Sequence, residues 1–116
     1  MSIKKNVEAL NSMILNGQIL EAFDKYYAEN VEMQENNEPP RVGKAINRQH
    51  EIDFLNNVAE FHGAEVLNVA VGDQSTMVEW FMDVTFKEGG RTELRQVSVQ
   101  TWDNDQITKE KFYYGT

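Results

Sequence analysis

From Glu65 onward the hydrophobic period of this chain changes from helical to two, and three turn signals cut the C-terminal half into four alternating runs. The runs span residues 65–71, 76–87, 92–102 and 106–114. The breaks are Gly72-Asp73-Gln74, Glu88-Gly89-Gly90-Arg91 and Asp103-Asn104-Asp105. Each break is short and carries the Gly, Asn or Asp that a tight hairpin turn requires. The second half of the chain is therefore expected to be an antiparallel meander. The first half must supply the layer that covers one of its faces.

That first half reads mostly as helix. Ile3, Val7, Leu10 and Ile14 recur at helical spacing with Lys4, Lys5, Glu8 and Asn11 on other faces, and Asn16-Gly17 is a stop signal. Ile19, Phe23, Tyr26 and Tyr27 form a second stripe opposite Glu21, Asp24 and Lys25. Residues 31–35 alternate as a short strand with Val31, Met33 and Glu35 on one face, and Pro39-Pro40 enforces an extended turn. Residues 43–62 read as a third helix whose apolar arc holds Ile46, Ile52, Phe54, Leu55, Val58, Ala59 and Phe61. Asn47, His50 and Glu51 fall inside that arc, where polar groups need partners. The reading is one α+β domain over residues 1–116, with three N-terminal helices packed on a curved, mostly antiparallel sheet.

The turns also predict registers. Gly89-Gly90 at the centre of the second turn sets Val84 opposite Arg95, Met82 opposite Val97 and Trp80 opposite Val99. Asn104-Asp105 at the third sets Val99 opposite Glu110, Val97 opposite Phe112 and Arg95 opposite Tyr114. Asp73-Gln74 at the first sets Val69 opposite Val78 and Leu67 opposite Trp80. The expected inner face collects Leu67, Val69, Val78, Trp80, Met82, Val84, Val97, Val99 and Phe112, with the carboxylate of Glu110 among them. The expected outer face carries Met77, Glu79, Phe81, Asp83, Gln96, Ser98, Gln100, Trp102, Ile107, Lys109, Lys111 and Tyr113. Its aromatic, Met and amide character is that of an interface, which predicts a homodimer through this face.

Charge and composition remove several classes of function. Eleven basic against nineteen acidic residues leave a net charge of −8, which opposes an electrostatic grip on nucleic acid or an anionic membrane. No stretch approaches the ~18 apolar residues of a membrane helix. The absence of cysteine excludes disulfides, thiolate metal sites and cysteine nucleophiles. His50 and His62, placed on one helix, are too far apart to share an ion, so no metal site is expected. The first residues lack the unbroken apolar run of a signal peptide, and a cytoplasmic location is expected.

The order of elements, and particular residues within it, resembles the nuclear transport factor 2-like superfamily, and within it the SnoaL-like (polyketide-cyclase-like) family. The resemblance rests on Tyr26-Tyr27-Ala28-Glu29-Asn30-Val31, on Met33-Gln34-Glu35-Asn36 ahead of Pro39-Pro40, and on Gly43-Lys44-Ala45-Ile46. It continues through Gln96-Val97-Ser98-Val99-Gln100 with Trp102 and through residues 107–114. It implies a cone in which a curved sheet wraps a long helix around an internal cavity. The superfamily spans isomerases, cyclases, hydrolases, dehydratases, enzyme subunits and non-catalytic binders, so the fold alone does not choose among them. Active members generally work without a cofactor, by an acid–base group in the cavity. Ketosteroid isomerase-like members carry the base at the end of the first strand, which matches Glu35. They also carry a carboxylic acid on the penultimate strand, where the expected inward residues here are Val97 and Val99. Epoxide hydrolase members use an Asp–Arg–Asp set, for which Arg95 lacks the neighbours.

The catalytic candidates are thus Glu35 as base and Glu110 or His50 as proton donor, since a carboxyl group in an apolar cavity is shifted toward proton transfer near neutral pH. Tyr27, Asn47, Phe54, Trp80, Val97, Val99, Phe112 and Tyr114 are the candidate ligand-binding residues. The same residues also read as ordinary core, and the carboxylates as hydrogen-bonded structural groups. Two functions remain open. One is a binder of a small, largely apolar molecule; the other is a cofactor-independent isomerase, cyclase or dehydratase acting on a small carbonyl compound.

Overall fold

The computed structural model describes residues 2–115; residues 1 and 116 of the expected domain lie outside the described residues. Helix α1 (Ile3–Leu15) buries Val7 and Leu10 and ends where Gly17, at φ +81°, lets Gln18 N–H reach back to Met13 O at 2.8 Å. Helix α2 (Ile19–Tyr26) buries Ala22, Phe23 and Tyr26. Strand β1 (Tyr27–Glu35) follows directly, so Tyr27 opens a strand rather than closing a helix. The short strand β2 (Arg41–Val42) folds back on β1, and helix α3 (Lys44–Asn57) leads into β3 (Val58–Val71), β4 (Ser75–Phe86), β5 (Gly90–Asp103) and β6 (Gln106–Tyr114).

The strands form one six-stranded mixed sheet in the order β2-β1-β6-β5-β4-β3, with β1 and β6 as its parallel pair. Helices α1 and α2 cover its inner face. Val7, Leu10, Ala22, Phe23, Tyr26 and Tyr27 pack with Val31, Met33, Val78, Trp80, Trp102 and Ile107 in one cluster. Three register shifts in β3 and one in β6, where Thr108 is the extra residue between Ile107 and Lys109, bend the sheet around this layer. No helix among the described residues is long and apolar enough to cross a membrane.

The third helix is five residues shorter than its expected extent to His62. Residues 58–62 instead pair with β4, Val58 against Phe86 and Phe61 against Val84. β-Branched Val58 and aromatic Phe61 gain more from a pleated partner than from another helical turn. Ile46, expected on the buried arc, is 59% exposed.

The β4–β5 register differs from expectation by three residues. Phe86 pairs with Gly90, Trp80 with Gln96 and Val78 with Ser98. The reason lies at the turn. Lys87 N–H donates to Asn57 O at 2.7 Å and Glu88 N–H donates to Asn57 Oδ1, so this loop caps the C-terminus of α3 instead of extending the ladder. Gly89 and Gly90 take φ values of +117° and +73° to close the longer turn.

An odd slip reverses the faces of β5. Gln96, Ser98, Gln100 and Trp102 point inward. Val97 and Val99, expected inside, lie outside opposite Glu79 and Met77, and Arg95 lies outside over the Phe81 ring at 4.7 Å. The β5–β6 hairpin begins in the expected register through Asn104 and Asp105, at φ +51° and +63°. The shift between Thr101 and Trp102 then sets Gln100, not Val99, opposite Glu110. Ile107 is fully buried rather than outward. In β3, Val69 keeps its expected partner Val78, but a bulge gives Trp80 to Val66, and both Leu67 and Val69 are exposed.

Candidate functional site

The helical layer does not fill the inner face of the sheet. A cavity of about 140 Å³ remains between Leu10 and Ile14 of α1, Phe23 of α2, Glu51 and Phe54 of α3, and the inward residues of β1, β4, β5 and β6. Trp80, Met82, Leu94 and Phe112 make much of the sheet side apolar, while Gln96, Ser98, Gln100 and Glu110 supply polar groups.

The polar groups are ordered into one buried chain. Trp102 Nε1, which can only donate, bonds to Thr76 Oγ1 at 2.8 Å. The Thr76 hydroxyl donates to Gln100 Oε1 at 2.6 Å, and Gln100 Nε2 donates to Glu110 Oε2 at 2.8 Å. From the other side Tyr27 Oη donates to Glu110 Oε1 at 2.5 Å. Every bond points toward Glu110, so the network is built for a carboxylate anion at its end. Burial opposes that anion: desolvation pushes the Glu110 carboxyl from the usual 4.5 up to about 7, against the two donated hydrogen bonds and with a contribution from Glu51 and Glu35. The Tyr27 hydroxyl is itself held well above its usual value by burial and by the adjacent Glu110 charge.

Two further carboxylates share the cavity. Glu35 leaves the end of β1, and its Oε2 lies 2.7 Å from Arg41 Nη1, outside the alignment of a hydrogen bond, so the contact is an ion pair. Arg41 is positioned in turn by Asn47, whose Oδ1 accepts from Arg41 Nε at 3.1 Å. Glu51 projects from α3 with no hydrogen bond or ion pair among the described residues. Enclosure by the protein and repulsion from Glu35 push its carboxyl up to about 7, with Arg41 opposing.

Of the residues expected to act or bind, Glu35, Glu110, His50, Tyr27, Phe54, Trp80 and Phe112 line the cavity. His50 does so from an exposed position, at the rim. Val97 and Val99 do not reach it, because the register turns them outward. Tyr114 is 39% exposed beyond its end. Asn47 is buried but serves the backbone: its Nδ2 lies 2.8 Å from Gly43 O and 3.0 Å from Arg41 O. His62 sits on β3 beside Thr85, not on the helix of His50. No group of three or more potential metal ligands is gathered among the described residues.

Sequence reasoning missed Arg41 as the partner of Glu35 and the Thr76–Gln100 bridge to Glu110; it marked Glu51 on the apolar arc of the third helix but did not count it among the site residues. The alternation Gln96-x-Ser98-x-Gln100-x-Trp102 was the available signal, but it is interleaved with Val97 and Val99 and supports either face.

A curved six-stranded sheet closed by three helices over a partly polar cavity defines a nuclear transport factor 2-like domain. The chain belongs to the SnoaL-like domain family, whose profile matches residues 1–114. It is similar in structure to a candidate SnoaL-like polyketide cyclase, also described as a carbohydrate phosphatase, from Mesorhizobium loti. That similarity has 29% identity and a TM-score of 0.89 over 98% of this chain and 100% of that one. An NTF2-like protein of unknown function from Burkholderia pseudomallei aligns at 14% identity and a TM-score of 0.83, covering 99% of this chain and 92% of that one. An epoxide hydrolase of LEH type from M. tuberculosis aligns at 14% identity and a TM-score of 0.76, covering 96% and 80%. No curated protein matches the chain significantly in sequence.

Proposed function

We propose that this domain binds a small, largely apolar molecule in its internal cavity. The observation that carries the reading is the space itself: about 140 Å³ bounded by Trp80, Phe54, Phe112 and Met82, beside a cluster in which Val7, Leu10, Val31 and Val78 are fully buried. Native mass spectrometry of the protein as purified from cells, with and without a Ser98→Leu substitution, tests it. Ser98 is buried and lines the cavity, so Leu fills the space. A small molecule retained by the parent and lost from the variant is expected. A parent that carries nothing, and whose Trp80 indole and Met82 methyl NMR signals respond to no member of a small-fragment set, contradicts the reading.

A second reading, acid–base catalysis on a small carbonyl compound, is favoured by one observation. Glu51 and Glu110 face the same cavity with carboxyl groups near 7, where one can be ionised while the other holds a proton. One carboxylate would take the proton from the carbon beside the carbonyl as the other donates to the carbonyl oxygen; return of a proton to a different carbon completes an isomerisation. Glu35, the base expected from the family resemblance, is less suited because Arg41 already occupies it. The enzyme reading requires that Glu51→Gln abolish turnover while ligand still binds. Retained turnover in that variant rejects it.

We also propose that the outer sheet face joins two copies of the chain. The β5 register brings Val97 and Val99 onto that face beside Met77 and Tyr113, which gives it a more continuous apolar centre than the sequence pattern alone implies.

A further inference from the structure

We propose that the cavity selects a ligand with a positively charged, alkyl-substituted nitrogen, seated between Glu51 and Glu110 against the aromatic wall. This rests on the cavity-binding reading above and names the chemistry of its ligand. Three carboxylates face the space, no Lys or Arg lines it among the described residues, and the nearby cation Arg41 pairs with Glu35. Arg41 is committed to Glu35 at 2.7 Å and is tethered behind it by Asn47.

Glu51 is the independent observation. It is half-buried, it lines the cavity, and among the described residues no hydrogen bond or ion pair reaches its carboxylate. A carboxylate held partly out of water without a partner is costly, and a ligand cation is the simplest group that would complete it. The surroundings exclude the opposite charge. From β1 come Glu35 and the Tyr27 hydroxyl, from α3 Glu51 and His50, and from β6 Glu110. Helices α1 and α2 present Leu10, Ile14 and Phe23, and β5 presents uncharged Gln96, Ser98 and Gln100. An anionic ligand would meet carboxylates on two sides. A bare ammonium would waste the walls of Trp80, Phe54 and Phe112, whereas a methylated nitrogen uses both the charge and the aromatic surface.

Binding of such a cation should also release protons. A positive charge beside Glu51 and Glu110 favours their ionised forms and lowers both carboxyls from near 7. A neutral ligand has no such effect.

The experiment compares isosteres. Choline and 3,3-dimethylbutan-1-ol have nearly the same shape and differ by the charge on the quaternary centre; 3,3-dimethylbutanoate supplies the opposite charge. Affinities are measured by calorimetry near pH 7 in two buffers of different ionisation enthalpy. Choline is expected to bind at least about tenfold more tightly than the alcohol, an order-of-magnitude figure for one desolvated charge contact. It should release a measurable fraction of a proton, and the carboxylate should not bind. Glu51→Gln should remove the preference for choline while the alcohol binds as before. Equal or tighter binding of the alcohol overturns the charge proposal and leaves the cavity reading standing. Binding by none of the three overturns both. Choline binding without proton release, or unchanged in Glu51→Gln, overturns the assignment of the site.

Discussion

Tyr27 Oη and Glu110 Oε1 lie 2.5 Å apart at the floor of the cavity, joining the first strand to the last. The two are 83 positions apart in sequence yet neighbours in the sheet, because β1 runs parallel to β6. Tyr27→Phe removes one of two donors to a buried carboxylate and leaves the packing of the ring against Phe23 intact. The Glu110 carboxyl should then rise further above 7, since a hydrogen bond that favoured its charged form is gone. Above that pH the variant should lose roughly 1–3 kcal/mol of stability, and less at pH 5.5, where the carboxyl is protonated. Denaturant unfolding at both pH values and a carbon-detected NMR titration of Glu110 measure the two effects. Equal losses at both pH values would contradict this role for the Tyr27 hydroxyl.

The raised carboxyls make a signed prediction about pH. In the unfolded chain Glu110 titrates near 4.5 and in the folded protein near 7, so between these values the folded state holds more protons. Stability must therefore fall as pH rises through that window and level off above it. For Glu110 alone the fall is at most roughly 3 kcal/mol, since each pH unit between the folded and unfolded values is worth about 1.36 kcal/mol; Glu51 adds in the same direction. Asp24 and Asp83, lowered below their usual 3.8 by Arg48 and Arg91, work the other way but only at more acidic pH. Chemical denaturation from pH 5 to 8 should show the decline, and Glu110→Gln should make it shallower, leaving the part that Glu51 contributes. A flat profile in the parent protein contradicts the placement of these carboxyls.

The expected helices and hairpins are found where local chemistry decides them. Gly17 ends α1, and Asn104-Asp105 form the last turn as the pattern requires. Glu35 and Glu110 face inward as alternation along their strands predicts. What the pattern could not supply depends on contacts distant in sequence. The face of β5 is decided by Asn57, which takes Lys87 and Glu88 away from the hairpin ladder. Valines at 97 and 99 look like core residues from composition alone, but the alternate Gln100 is buried because Thr76 and Glu110 satisfy it, with Trp102 donating to Thr76. The end of α3 was hidden for a related reason: residues 58–62 suit helix or strand until β4 is beside them.

Asn47 should behave as a latch and not as a ligand contact. It is 1% exposed, accepts from Arg41 Nε and donates toward the carbonyls of Arg41 and Gly43. Asn47→Ala leaves these groups unpaired beside β1, so a loss of about 2–4 kcal/mol is expected from the lost bonds and the uncompensated burial. Backbone amides of residues 41–43 should exchange faster, and the Arg41–Glu35 pair should loosen. A variant as stable as the parent, with a weaker ligand as its sole defect, would return Asn47 to the binding site.

The outer sheet face makes the last prediction. Met77 faces Val99 and Val97 faces Tyr113, with Glu79, Arg95 and Lys111 around them. Met77 and Tyr113 are 46% and 47% exposed in the single chain. A two-fold axis through this patch would bury its apolar centre and leave charges of both signs at the rim, the arrangement of a self-complementary interface. Light scattering should therefore give a mass near twice the 13.4 kDa of one chain. Val97→Asp should yield a monomer, because two copies of an unpaired carboxylate would meet at the centre. The cavity lies on the other side of the sheet, so the Trp80 NMR signal of that variant should be unchanged. A parent protein that is monomeric at tens of micromolar contradicts the interface.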